Sequence, residues 1–120
     1  MRAARDARAR AYAPYSHFAV GAALACTDGT IVTGTNVENA CYGLSMCAER
    51  SAVFAAVAAG RSSFEAIAVA GPTGSATPPC GACRQVLCEF GVGIRVIYAT
   101  PSGCEATTVA ALLPAEFVLP

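Results

Sequence analysis

Glu65-Ala66-Ile67-Ala68-Val69-Ala70-Gly71, then Pro72 to Pro79, then the run from Gly81 to Phe90 (GACRQVLCEF) decides the fold of this chain. The first seven residues read as a strand buried on both faces: a short apolar run, β-branched at Ile67 and Val69 and closed by glycine. Pro72 to Pro79 is a loop by its proline, glycine, serine and threonine content, and Gly81 to Phe90 is a helix. Arg95 to Thr100 is a further strand. Strand, helix and strand in succession make a crossover unit, the local signature of an α/β sheet.

Toward the N-terminus, Thr27-Asp28-Gly29-Thr30 is a hairpin turn between Phe18–Cys26 and Ile31–Gly34. Ala48 to Ala59 reads as a buried helix closed by Gly60, and residues 1–13 as a helix ended by Pro14. A short strand near Ala106–Val109 and a last helical turn before Pro114 complete the reading. A hairpin followed by alternating helix and strand predicts a mixed sheet with helices on its faces, in one domain spanning residues 1–120.

Composition narrows the function classes. The chain has 120 residues, 55% apolar, with 13% charged against a usual figure of about 25%, which excludes a disordered chain. No stretch is long and apolar enough to span a bilayer. Eight arginines, no lysine and zero net charge leave no basic stripe for nucleic acid. Arg2, Arg5, Arg8 and Arg10 sit at helical spacing and read as the solvated face of the first helix. Twenty-seven alanines and no tryptophan predict a thin core, close helix packing and an oligomer. No apolar segment follows the N-terminal arginines, so no secretion signal is expected and the location is read as cytoplasmic. Seven cysteines there should stay reduced and serve metal binding or catalysis.

Cys80 and Cys83 form a C-x-x-C at a loop-to-helix junction, and Cys47 begins the other long helix. Helix N-termini favour thiolate. If the two helices lie side by side, three thiolates converge, and three protein ligands on zinc leave a fourth position open for chemistry. Glu49 falls on the same helical turn as Cys47, placed to move protons between water and a substrate nitrogen without ligating. Arg50, donating to the sulfurs, offsets the net negative charge of three thiolates around a divalent ion. The plain alternatives are a redox C-x-x-C, a buried Cys47 and a solvated Glu-Arg pair; His17, the only histidine, reads as a loop residue.

Four motifs in order carry a resemblance: Ser16-His17-Phe18-Ala19-Val20-Gly21-Ala22-Ala23-Leu24, Asn36-Val37-Glu38-Asn39-Ala40-Cys41-Tyr42, Cys47-Ala48-Glu49-Arg50 and Pro79-Cys80-Gly81-Ala82-Cys83-Arg84-Gln85. With Leu112-Leu113-Pro114 and Phe117, they resemble the homotetrameric cytidine deaminases of the three-cysteine zinc type. The resemblance implies a three-layer α/β/α fold with a mixed five-stranded sheet, one zinc ion per chain on Cys47, Cys80 and Cys83, and Glu49 as proton shuttle. It implies that Arg50 tempers the thiolate charge, that Asn36 and Glu38 hold ribose hydroxyls and that Phe18 lies beside the pyrimidine. Ala40, Tyr42 and Phe117 would complete sites across subunit boundaries of a homotetramer.

The implied activity is hydrolysis of free cytidine and 2′-deoxycytidine to the uridines and ammonia, a step of pyrimidine salvage. The rivals are a deaminase of another aminopyrimidine nucleoside such as blasticidin S, and a zinc or redox protein without catalysis. Thr35, where many relatives carry cysteine, and a short Glu105–Val109 stretch depart from the pattern without touching the thiols or Glu49.

Overall fold

Small side chains set the distances between layers. A computed structural model describes residues 1–120, with α1 (Arg2–Arg8), β1 (Gly21–Cys26), β2 (Ile31–Thr35), α2 (Ala48–Ala58), β3 (Phe64–Ala70), α3 (Gly81–Phe90), β4 (Arg95–Thr100), β5 (Gly103–Thr108) and α4 (Val109–Leu112), plus a 3₁₀ turn at Tyr42–Leu44. The five strands form one mixed sheet in the order β2-β1-β3-β4-β5. β1 is antiparallel to β2 and to β3, with Gly21 opposite Thr35 and Ala70. β3 and β4 are the parallel pair, Ala66 beside Arg95, joined by the predicted loop and α3. β5 returns antiparallel along β4.

Alternation along the strands divides the core in two. Ala22, Leu24, Ile67, Val69 and Val96 face Val53, Ala52 and Leu87 of α2 and α3. Ala23, Ala68 and Ala70 face Ala4 on the opposite side, beneath α1. Three layers result. The alanine-rich composition is explained at the contacts: a Cβ on Gly21 would lie 2.1 Å from the Ala4 carbonyl oxygen, and one on Gly34 2.4 Å from that of Ala48. Both helices seat directly on strand backbone, so glycine is required at these two points.

The first helix ends earlier than Pro14 predicts, at Arg8. The cause is a competing partner: the Tyr12 N–H donates to the Asn36 carbonyl (3.0 Å) and the Tyr12 carbonyl accepts from Glu38 (2.8 Å). Val37 is thereby bridged to Tyr12 on one side and to Met46 on the other. β1 starts at Gly21 rather than Phe18, because the backbones of Phe18 and Val20 bond to the Asn36 side chain. The weak last strand is longer than expected and begins at Gly103. Gly60 closes α2 at φ +83°, as its position past the helix end predicts.

Candidate active site

Cys47 and Cys80 are the N-cap residues of α2 and α3, both with extended backbone and neither sulfur used as a helix cap. That leaves both sulfurs available at adjacent helix starts. Sγ of Cys47 is 3.7 Å from Sγ of Cys80, which is 3.4 Å from Sγ of Cys83. All three lie within 4.8 Å of one another. A tetrahedral zinc at about 2.3 Å from each sulfur requires sulfurs roughly 3.8 Å apart. Cys26, Cys41, Cys88 and Cys104 are free thiols outside this cluster, and His17 stands in an exposed left-handed turn away from it.

Arg50, one helical turn beyond Cys47, donates from Nη2 to its Sγ at 3.2 Å. Its Nε is buried without a hydrogen-bond partner, and no carboxylate pairs with the guanidinium. A half-buried guanidinium needs a counter-charge, and the thiolate sulfurs are what it faces. The donor set therefore fits a thiolate-bound zinc: three close sulfurs and a cation directed at them. Hydrogen bonding from the Cys83 thiol, with help from Arg50 and Cys80, holds Cys47 down at about 5 against the opposing effect of burial. The same interaction and burial push Cys83 up, so Cys47 ionises before Cys83.

Glu49 is 5% exposed, in the first turn of α2. Burial raises its pKa above the usual carboxylate value, and the Cys47 charge adds to the shift. A carboxylate so placed is suited to accept and return a proton. It lines a cavity of about 280 Å³ together with Phe18, Asn36, Glu38, Cys47 and Cys80. Cys83 is buried behind them.

The far wall is built by the segment that also ends α1 early. Oδ1 of Asn36 accepts from the Val20 N–H and Nδ2 donates to the Phe18 carbonyl, each at 2.8 Å. One Asn36 N–H remains uncommitted. Glu38 accepts from the backbone N–H groups of Tyr15 (2.9 Å) and Ser16 (3.1 Å) and from the Ser16 hydroxyl. Those bonds, the hydroxyl's first, hold its pKa below the usual carboxylate value.

Ala40, Tyr42 and Phe117 do not reach this cavity within one chain. Tyr42 lies against Tyr15 across a neighbouring groove, and Phe117 lies beyond α3, where its carbonyl accepts from Gln85 at 2.9 Å. Three residues that shape the site, Thr77, Pro78 and Arg84, are given no role by the sequence alone. Thr77 and Pro78 line the cavity from the loop before Cys80. Arg84 braces that loop, donating to the carbonyls of Pro79 (2.8 Å) and Leu112 (2.9 Å). The only signal for Arg84 is its place directly after the C-x-x-C, where a fixed cysteine pair needs support.

Zinc-dependent hydrolases of the deaminase class are built in this way, with a buried carboxylate beside a thiolate metal site at two helix starts. Residues 1–100 match the model of the cytidine and deoxycytidylate deaminase zinc-binding region, and the chain belongs to that family. It is 51% identical over 115 residues to the cytidine deaminase of Sporosarcina psychrophila, covering 94% of this chain and 85% of that protein. Identity to the cytidine deaminase of Halalkalibacterium halodurans is 46% over 119 residues, covering 98% and 90% of the two. The crystal structure of cytidine deaminase from Burkholderia pseudomallei superposes with a TM-score of 0.87 at 48% identity, covering 97% of this chain and 94% of that one.

Proposed function

We propose that this chain hydrolyses free cytidine and 2′-deoxycytidine to uridine and 2′-deoxyuridine, releasing ammonia. The observation that carries the reading is Glu49, buried beside the three-thiol cluster and lining a cavity of about 280 Å³. Its relatives named cytidine deaminase support the substrate. Cys47, Cys80 and Cys83 would hold one zinc ion, which when bound supplies a water molecule acidic enough to be deprotonated near neutral pH. Glu49 accepts a proton from that water and delivers it to pyrimidine N3 as the water oxygen adds to C4; it then takes the proton of the new C4 hydroxyl and passes it to the amine, which leaves as ammonia while the C4 carbonyl forms. Arg50 reduces the negative charge of the thiolates through its bond to Cys47.

The remaining roles follow from what each group still has to offer. Phe18 packs against the pyrimidine ring. The unused N–H of Asn36 donates to a ribose hydroxyl, while Glu38, already oriented by Ser16 and Tyr15, accepts from one. A free nucleoside suits this wall better than a polymer, and the wall leaves little reason for an antibiotic nucleoside such as blasticidin S. A redox C-x-x-C would have no use for Cys47 at 3.7 Å from Cys80.

The reading extends to a homotetramer of single-domain chains in the cytoplasm. Tyr42, Leu44, Phe54, Phe117 and Val118 are each 48–76% exposed and are the apolar side chains available to such an assembly. In the assembly, Ala40, Tyr42 and Phe117 complete a neighbour's cavity. Seven free thiols suit a reducing compartment. The experiment is incubation of the zinc-loaded protein with cytidine, 2′-deoxycytidine and blasticidin S, followed by ultraviolet absorbance. Conversion of the two cytidines to the uridine spectra, ahead of the antibiotic, is expected; no change with either cytidine would contradict it.

A further inference from the structure

A second cavity, of about 330 Å³, lies at the C-terminal ends of the parallel strands β3 and β4, on the face covered by α1. Arg5 and Arg8 of α1 form one wall; Thr73, Gly74 and Ser75 after β3 and Thr100 at the end of β4 form the other. No carboxylate lines it. The four arginines beyond residue 10 are committed: Arg61 to Asp28, Arg95 to Glu65, Arg50 to Cys47 and Arg84 to two carbonyls; Arg2 and Arg10 also lack an acidic partner, but do not line the cavity. Arg5 and Arg8 have no acidic partner.

Arg8 is nevertheless held in place. Its Nε donates to the Ala19 carbonyl at 3.1 Å, which leaves both terminal amino groups of the guanidinium uncommitted. Two cations in the last turn of a helix are ordinarily explained by the helix dipole. The dipole does not account for an opposite wall of hydroxyls and glycine backbone from which carboxylates are missing. Guanidinium forks and hydroxyls around a tetrahedral dianion are the recurrent chemistry of phosphate recognition. The crevice beyond the carboxyl ends of parallel strands is also where open α/β sheets take their ligands.

We propose that this cavity binds a phosphoryl group, carried by inorganic phosphate or by a nucleotide. The site is separate from the thiol cavity and does not depend on the proposed deamination, whose nucleoside substrates carry no phosphate. The test is calorimetric titration of the zinc-loaded protein with inorganic phosphate and, separately, with adenosine 5′-monophosphate. One saturable site per chain is expected, weakened by added salt. Arg5→Gln removes charged hydrogen bonds and should weaken it about tenfold to a hundredfold. The Arg5 side chain is exposed and pairs with no carboxylate, so the variant retains its structure. Thr73→Val, which changes no charge, tests the other wall and should weaken binding less. Tighter binding of the nucleotide assigns the site to nucleotides, and equal binding assigns it to free phosphate. Absence of saturable binding by both ligands, or binding equal in the parent and both variants, would overturn the proposal.

Discussion

Nη2 of Arg50 lies 3.2 Å from Sγ of Cys47, one turn back on the same helix, and the guanidinium has no carboxylate to pair with. The α2 helix therefore carries a thiol and the cation that neutralises it at fixed spacing, before any metal arrives. Arg50→Gln removes the charge and leaves the thiolate cluster uncompensated. Zinc affinity or turnover should fall roughly 10–100-fold, the usual effect of losing a group that supports metal ligands. The rate of zinc transfer to a chromogenic chelator, measured beside kcat, checks this; parental values for both would show that Arg50 is only a surface charge.

Gly34 and Gly21 separate structural from functional strain. A Cβ at Gly34 would lie 2.4 Å from the Ala48 carbonyl oxygen and from the Ala52 nitrogen, so Gly34→Ala must push away the helix that carries Glu49. At Gly21 the clash is with Ala4 and Arg8 of α1, on the other face of the sheet. Each substitution should cost roughly 1–3 kcal/mol or more, as overpacking does. Denaturation midpoints should fall in both variants, with a specific loss of kcat in the remaining folded protein confined to Gly34→Ala.

Glu38 gives a pH dependence with a definite sign. Its pKa in the folded chain lies below the ordinary 4.5, first because of the Ser16 hydroxyl. The folded state therefore binds this proton less readily than the unfolded state does. The resulting stabilisation is complete above 4.5 and is lost as pH falls through the lower folded value. Urea midpoints of parent and Glu38→Gln should differ near neutral pH and converge in acid. A difference constant across the acid range would remove Glu38 from the account of acid stability.

Much of this was legible because local chemistry announced it. The strand expected at Glu65–Gly71 and found at Phe64–Ala70, the C-x-x-C at a helix start and the nearness of Glu49 to Cys47 each follow from local pattern, and the condition that the two helix starts be adjacent is met, since the three sulfurs cluster. What was hidden depends on distant backbone. Nothing in residues 9–13 shows that Tyr12 leaves the helix to bond Asn36 and Glu38, since both partners are more than twenty residues away. Asn36 looked like a binding residue alone, yet two of its bonds hold the loop bearing Phe18. Ala40, Tyr42 and Phe117 were named from the resemblance, and one chain does not bring them to the cavity.

The assembly claim is checked by light scattering at micromolar concentration, where about four times the chain mass of 12.1 kDa is expected. Phe117→Ala should weaken cytidine binding, read as a raised KM, while leaving the zinc content whole. A fully active monomer would sink the tetramer and the composite cavity together.

Glu49→Gln tests the central claim. Glutamine keeps the size and hydrogen-bonding reach of the side chain but cannot accept and return a proton, and Cys47, Cys80 and Cys83 are untouched. The measurement is kcat for cytidine alongside zinc per chain, on the parent and on Glu49→Gln. The expected result is equal zinc content, an unchanged fold and a kcat lower by about 10²–10⁴ or more, the range for loss of general acid–base participation. Turnover near the parental rate, or zinc lost in step with activity, would contradict the role given to Glu49.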